Sequence, residues 1–252
     1  MTTPTTVITG ASAGLGVDFA RQLSAKGRRL VLVARRKDRL EALTDELGNA
    51  RAVELDLSLP GAAGRLMADV TSHGETVDLL VNNAGFGQTG RFADQDGKRM
   101  RQMIDLNCGV LTELCHLVIP GMKANGRGAI LNVASTAAFQ PGPGMAVYFA
   151  TKAYVLSFGE ALHEELKADN IIVSTLCPGP TATEFGEVAG FGGHPIIDNL
   201  TATSADVVKA GIAGLEAGKA VVIPGFVNKL GAQGHRFLPR STLRKIAGTI
   251  KL

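Results

Sequence analysis

The feature that most constrains this chain is a repeated alternation of short apolar runs with longer stretches of helical pattern. The runs fall at 5–9 (TTVIT), 29–34 (RLVLVA), 51–55 (RAVEL), 77–82 (VDLLVN), 129–134 (AILNVA), 171–177 (IIVSTLC) and 219–223 (KAVVI). Their apolar residues stand at successive positions. A strand with one solvated face alternates in polarity, whereas a strand covered on both faces does not. The seven runs are therefore read as strands of a parallel sheet sandwiched between helices.

Helical pattern fills most of the gaps, at 14–26, 36–47, 97–123 and 147–168. In the second of these Leu40, Leu43 and Leu47 recur at helical spacing. Parallel neighbours require a crossover, and strand–helix–strand crossovers are right-handed. The sequence thus predicts an α/β chain, one doubly wound Rossmann domain over 1–252 with a seven-stranded parallel sheet and helices on both faces. A length of 252 residues fits one such domain, and the 31 glycines and 10 prolines are spread along the chain with no linker among them. Ligands of such sheets sit beyond the carboxyl ends of the strands.

Several function classes are disfavoured. The three cysteines, Cys108, Cys115 and Cys177, are odd in number and lack C-x-x-C spacing, so neither a disulfide framework nor a zinc site is expected. The histidines (His73, His116, His163, His194 and His235) include no i, i+4 pair, and no metal is expected. The N-terminus lacks a basic start followed by an apolar stretch, and no uninterrupted apolar run approaches about 18 residues. A cytoplasmic protein is the expectation. Residues 217–252 hold seven of the 26 basic residues and none of the 23 acidic ones, so a basic tail follows a mildly acidic body. No nucleic-acid partner is expected.

The first strand runs directly into Thr9-Gly10-Ala11-Ser12-Ala13-Gly14-Leu15-Gly16. A glycine-rich turn between strand and helix lets backbone amides approach a pyrophosphate at a helix N-terminus. The spacing is G-x-x-x-G-x-G rather than the commoner G-x-G-x-x-G. The second strand ends on Val33-Ala34-Arg35-Arg36, where an NAD enzyme usually carries an acid for the ribose hydroxyl. Two guanidinium groups there suit a 2′-phosphate; the alternative is a solvated helix start, although cations are mildly unfavourable at that end of a helix. Asp56-Leu57 follows the third strand, with Asp56 set either to accept from an adenine amino group or to cap the segment after it.

Tyr148-Phe-Ala-Thr-Lys152 places two side chains four residues apart on one helix face. A phenol with an ordinary pKa near 10 becomes a usable acid or base when a cation favours its anion. Ser135, thirteen residues earlier at the end of the fifth strand, offers a hydroxyl to a substrate carbonyl that gains charge.

With these motifs in this order, joined by Asn82-Asn83-Ala84-Gly85, Asn107 and Pro178-Gly179-Pro180-Thr181-Ala182-Thr183, the chain strongly resembles the short-chain dehydrogenase/reductase family, in its compact subgroup of about 250 residues. The resemblance covers nearly the whole chain. It implies NADP(H) as cofactor, on the arginine pair after the second strand, and hydride exchange between nicotinamide and a carbonyl or secondary alcohol. It implies that Gly10, Ser12, Ala13, Gly14, Leu15, Gly16, Arg35, Arg36, Asp56, Leu57 and Gly85 line the cofactor, with Asn83 and Ala84 on its adenosine side. Ser135 would hold the substrate oxygen, Tyr148 would exchange its proton, and Lys152 would bind the nicotinamide ribose. Asn107 would orient a water in the proton path. Pro178, Gly179, Thr181 and Thr183 would face the nicotinamide, Thr183 at its carboxamide.

Specificity is expected from a substrate loop at about 183–203 and from the segment between Ser135 and Tyr148. These supply Phe139, Gln140, Met145, Phe185, Val188, Phe191, Ile196, Ile197 and Leu200, with Gly190, Gly192 and Gly193 as hinges. They contain no arginine to clamp an anion, which suggests an apolar ketone, aldehyde or acyl thioester; the alternative is that some of them pack the loop onto the body or a partner subunit. A catalytically silent NADP-binding sensor or scaffold is the alternative, and it has no need of Asn107, Ser135, Tyr148 and Lys152 together. A homodimer or homotetramer is expected. In the basic tail, about 229–252, Leu243, Ile246, Ala247 and Ile250 form an apolar stripe in helical spacing. Packing of that stripe on the body or a sister subunit is favoured over contact with an anionic membrane surface.

Overall fold

The computed structural model describes residues 2–190, 201–234 and 239–249. Its centre is one parallel sheet in the order β3-β2-β1-β4-β5-β6-β7. The strands are β1 (Thr3–Thr9), β2 (Leu30–Ala34), β3 (Ala50–Glu54), β4 (Glu75–Asn82), β5 (Gly128–Val133), β6 (Ile171–Leu176) and β7 (Val221–Val222). All seven expected runs are strands. The last is shorter than 219–223 because only two of its residues pair with β6. Order reverses between β1 and β4, which is where a doubly wound sheet opens a crevice at its carboxyl edge.

Two apolar layers flank the sheet. On one face α1 (Leu15–Ala25), α2 (Lys37–Leu47) and α8 (Ser204–Glu216) bury Phe19, Leu23, Leu40, Leu43, Val208 and Ile212 against Ile8, Leu32, Val81, Leu131 and Leu176. On the other, α3 (Ala62–Ser72), α5 (Leu111–Ala124) and α6 (Ala146–Glu165) cover Val7, Val31, Leu80, Ile130 and Val173. Burial on both faces explains the unalternating apolar runs of the sequence.

The predicted helix at 97–123 is in fact α4 (Gly97–Ile104), a π-helical turn Asp105–Val110 and α5, without a break. By length and composition alone this stretch of 28 residues is long and apolar enough to cross a membrane. Its apolar stripe lies in the core, with Leu111, Leu114, Cys115, Val118 and Met122 buried.

A row of polar side chains crosses the centre of the sheet. Asn82 on β4 pairs in register with Asn132 on β5, and Asn132 with Thr175 on β6. Asn82 Nδ2 donates to Asn132 Oδ1 at 2.9 Å and to Cys115 Sγ at 3.3 Å. Gly159 lets α6 descend onto this row, since a Cβ there would collide with the Thr175 hydroxyl. Gly159→Ala is therefore expected to destabilise the protein by about 1–3 kcal/mol through overpacking, although alanine is the better helix former. A thermal melt within 1 °C of wild type would show that the helix shifts without cost.

After β6 the chain runs through Pro178–Pro180 into α7 (Phe185–Ala189) and resumes at Thr201, where Thr181 bridges Ala202. The carboxyl end carries α9 (Phe226–Gly234) and α10 (Arg240–Thr249). In α10 Ala247 is buried and Leu243 half-buried, while Arg244 and Lys245 are exposed. Ala247 and Leu243, two members of the expected apolar stripe, are turned inward. The side chain of Ile246, and Ile250 altogether, lie outside the described residues.

Candidate active site

A cleft of about 930 Å³ opens along the carboxyl edge of the sheet. Of the catalytic and cofactor-binding residues expected, all but Gly16 and Asn107 line it; of the residues expected on the substrate side, Phe139 does not, and packs instead against the core.

The glycine loop forms its floor. Gly14, at φ 51° and ψ −131°, precedes α1 in a conformation that strains any residue with a Cβ. It has no side chain to cap the helix; the Gly16 and Val17 amides turn back onto the Ala13 and Gly14 carbonyls at 3.1 Å, and the positive end of the α1 dipole lies at the cleft. Gly16 is buried, and a Cβ there would strike the Gly10 carbonyl and come within 2.9 Å of Ala11 Cα. Asn83 holds the loop from behind: its Nδ2 donates to the carbonyls of Thr9 and Gly10 at 3.0 and 3.2 Å. The Thr9 hydroxyl accepts from the amides of Asn83 and Ala84, both at 3.0 Å. Asn83 and Thr9 therefore clamp the loop to the end of β4.

The two arginines after β2 have different surroundings. Arg35 is 76% exposed, and its nearest carboxylate is Asp56, at 3.9 Å. Arg36 is engaged: Nε donates to Ser12 Oγ at 3.1 Å, and Nη1 meets Glu184 at 2.9 Å. Glu184 also accepts from Arg39, and the two guanidinium groups hold its carboxyl below the usual carboxylate range. Asp56 Oδ1 accepts from the amide and hydroxyl of Ser58, at 2.9 and 2.7 Å. It thus caps the turn after β3, while α3 begins later, after Gly61. Burial raises the Asp56 pKa, but the Ser58 hydrogen bonds outweigh it and the net shift is downward. Leu57 is buried in the core beneath the same wall.

At the other end α6 brings Tyr148 and Lys152 together, both buried. Lys152 Nζ donates to the Val133 carbonyl at 2.8 Å and lies 5.8 Å from the centre of the Tyr148 ring. Burial pushes the Tyr148 phenol up to about 12, against a smaller downward pull from the Ser135 hydroxyl, and pulls the Lys152 ammonium down to about 8. Ser135 lies just past β5, at the start of a 3-10 turn, Thr136–Phe139. Its Oγ accepts from the Ala137 amide at 3.1 Å and donates to the Pro178 carbonyl at 3.4 Å, tying β5 to the Pro178–Gly179 turn.

Asn107 sits in the π-helical turn, the kind of bulge that often re-aims a side chain at a functional site. Its Oδ1 accepts from the Phe86 amide at 3.1 Å; its Nδ2 donates to the Phe86 carbonyl at 3.0 Å and to Thr151 Oγ1 at 3.1 Å. Thr151 Oγ1 in turn donates to the Tyr148 carbonyl at 2.7 Å. Gly85 makes this approach possible, because a Cβ there would lie 3.0 Å from Asn107 Oδ1 and 3.6 Å from Lys152 Nζ. Thr183 Oγ1 accepts from the Phe185 amide at 3.3 Å, and its methyl backs onto Gly14. Thr181 Oγ1 turns to the Gly179 carbonyl at 2.9 Å.

Apolar side chains surround the tyrosine. Met103, Ala137, Met145 and Ala189 pack with it, joined by Phe86, Phe149 and Phe185. The Phe185 ring centre is 5.2 Å from that of Tyr148. Val188 is 52% exposed at the cleft's edge, whereas Phe191, Ile196, Ile197 and Leu200 lie outside the described residues. Sequence reasoning missed Thr151, read only as a spacer inside Y-x-x-x-K. It also missed the Val133 carbonyl, which leaves no mark in a sequence, and Arg99, Gln102 and Glu184 on the cleft wall.

The cysteines behave as buried apolar groups. Burial pushes the Cys108 thiol up to about 11 and those of Cys115 and Cys177 up to about 12. A raised thiol pKa leaves little thiolate below it, on the order of one part in a thousand for Cys108 at pH 8. The native protein is expected to resist iodoacetamide at pH 8 and to be alkylated three times once unfolded. Mass spectrometry reads this directly, and rapid native labelling of Cys108 would contradict its placement.

Residues 4–190 match the family model for short chain dehydrogenase. The chain is 37% identical over 185 residues to the NADP-dependent 3-hydroxy acid dehydrogenase YdfG of Salmonella typhi, covering 72% of this chain and 75% of that one. Among solved structures it is similar to a short-chain dehydrogenase from Sphingobium yanoikuyae in complex with NADPH, with a TM-score of 0.81, 33% identity and coverage of 96% and 95%. It is also similar to the bulky-bulky ketone specific alcohol dehydrogenase from Comamonas testosteroni, with a TM-score of 0.80, 28% identity and coverage of 97% and 95%. With the glycine loop, the buried Tyr148–Lys152 pair and the seven-stranded parallel sheet, these matches establish that the chain belongs to the short chain dehydrogenase family.

Proposed function

We propose that the protein is an NADP(H)-dependent oxidoreductase that interconverts a carbonyl compound and a secondary alcohol. One observation carries the reading: Tyr148 and Lys152 are buried side by side on α6, and together with Ser135 they face a cleft whose far end is built from the glycine loop. The cleft suits a dinucleotide. The N-terminus of α1, a glycine loop where backbone can approach closely, and an exposed guanidinium at Arg35 match a pyrophosphate and a 2′-phosphate in turn. A relative named for NADP dependence and a neighbour solved with NADPH support the same cofactor. When bound, nicotinamide supplies or accepts the hydride.

The chain's own residues handle the proton. The buried Tyr148 phenol stays protonated at neutral pH, which suits donation to a carbonyl oxygen as that oxygen gains charge. Ser135 Oγ holds the same oxygen, and Lys152 sets the local charge and binds the ribose hydroxyls. Asn107 is a positioning residue: it fixes Phe86 and, through Thr151, the backbone of Tyr148. The apolar wall excludes water and favours an apolar ketone, aldehyde or acyl thioester.

The same proposal takes 1–252 as one domain with a substrate loop at about 183–203 and a tail at about 229–252, working in the cytoplasm as a homodimer or homotetramer. Exposed Leu117 and Tyr154 on neighbouring helices support self-association, and the inward stripe of α10 supports packing of the tail over membrane contact. A panel of ketones and aldehydes with NADPH, followed by loss of absorbance, tests the function. Oxidation of NADPH dependent on a carbonyl compound is the expected result. NADPH binding without turnover across the panel would restore the silent-sensor reading.

A further inference from the structure

The wall of the cleft carries Arg99, a cation that neither the cofactor nor the proton path employs. Arg99 and Gln102 of α4, with Leu106 of the π-helical turn, face it from one side of a continuous helix. The Arg99 guanidinium carbon lies 5.0 Å from the centre of the Phe86 ring. Phe86 packs into the cluster around Tyr148, and both its amide and its carbonyl are held by Asn107. The ring is thus a fixed platform that packs with the catalytic tyrosine's cluster and carries a guanidinium over its face.

Neighbouring arginines are neutralised by their own helix or loop. Arg91 pairs with Asp94 at 3.9 Å, and Arg101 with Asp105 at 2.9 Å. Among the described residues Arg99 meets no carboxylate within 4.0 Å. A guanidinium that gives its face to an aromatic ring keeps its N–H edge free, and that edge matches a carboxylate or phosphate in two parallel hydrogen bonds. A half-buried cation beside the apolar side chains of Phe86 and Leu106 gains most from a ligand that brings the counter-charge.

We infer that Arg99 is a specificity-determining residue that receives an anionic group, a carboxylate or a phosphate, on the end of the substrate remote from the reacting carbonyl. The inference rests on the carbonyl-reductase reading and narrows it. The substrate is amphipathic: an apolar stretch lies along Phe86, Met145 and Phe149, and an acid follows beyond the ring. Phe86 packs with the tyrosine's cluster and also carries Arg99, so a substrate chain lying along its ring joins the carbonyl to the acid.

The test compares 7-oxooctanoate, its methyl ester and 2-octanone as substrates with NADPH, in wild type, Arg99→Ala and Arg99→Lys. Wild type is expected to prefer the acid. Arg99→Ala should lower kcat/KM for the acid tenfold or more, chiefly through KM, with a change under about threefold for the ester and ketone. Arg99→Lys should retain part of the preference, since charge survives and the planar fork does not. The affinity of each variant for NADPH, read by fluorescence, separates the two sources of anion. Loss of NADPH affinity with an unchanged acid-to-ester ratio would assign Arg99 to a cofactor phosphate and overturn the inference, as would equal use of acid and ester by wild type. Calorimetric titration of octanoate into the NADP⁺-loaded enzyme needs no turnover. Binding that Arg99→Ala abolishes supports the inference even if the carbonyl panel is inert, and binding indifferent to Arg99 overturns it.

Discussion

Tyr148→Phe is expected to lower kcat at least a hundredfold while leaving the fold and NADPH affinity nearly unchanged. The ring is buried among Met103, Met145, Phe149 and Phe185, and phenylalanine keeps that packing. Only the phenolic proton is removed, and a positioned general acid is worth about 10²–10⁴ in rate. The phenol hydrogen bond contributes little to stability in comparison, so the melting temperature should move by only a few degrees. Steady-state kinetics together with a thermal melt and an NADPH titration would check all three parts. Residual activity above about a hundredth of wild type would mean that the proton comes from elsewhere.

Arg35→Ala should weaken NADPH binding tenfold or more and leave NADH nearly untouched. Arg35 is exposed, with no carboxylate nearer than 3.9 Å, so a 2′-phosphate of the proposed cofactor would be its strongest partner. Losing a charge-assisted hydrogen bond of about 1.5–3 kcal/mol corresponds to that factor. Arg36→Ala should behave differently. Arg36 ties Ser12 of the glycine loop to Glu184 at the start of the substrate loop, so its loss should loosen the site for both cofactors. Fluorescence titrations of both variants with NADPH and NADH make the comparison. Equal losses for the two cofactors in Arg35→Ala would make that arginine structural, and similar wild-type affinities would contradict the choice of NADP(H).

Much of the site was legible because its parts are local in sequence. The glycine loop joins the end of β1 to the start of α1, and Tyr148 and Lys152 are one helical turn apart. Arg35 and Arg36 follow directly from β2. Each is a backbone conformation or a helical spacing that residue types reveal by themselves. What was not legible came from long-range packing. Asp56 had two readings, and only the position of Ser58 and the late start of α3 decide that it caps the turn after β3. Asn107 was expected within a helix, but it lies in a π-helical turn, where its amide meets Phe86 and Thr151, and residue spacing does not signal that departure.

The sequence alone determined the run of strands along the chain, the burial of both sheet faces, the glycine loop before α1 and the pairing of Tyr148 with Lys152 on one helix. These follow from periodicity, glycine geometry and reactive groups close together in the chain. The tertiary structure decided which distant groups share a wall. Glu184 reaches across the cleft mouth to Arg36 and Arg39 over some 145 residues of chain. Arg99 enters the cleft from α4, outside the segments in which the sequence sought an anion clamp, and it is held there by a ring that Asn107 fixes. Spacing cannot reveal such pairings, because nothing in the local backbone distinguishes an arginine that folds onto an aromatic ring from one that stands in solvent.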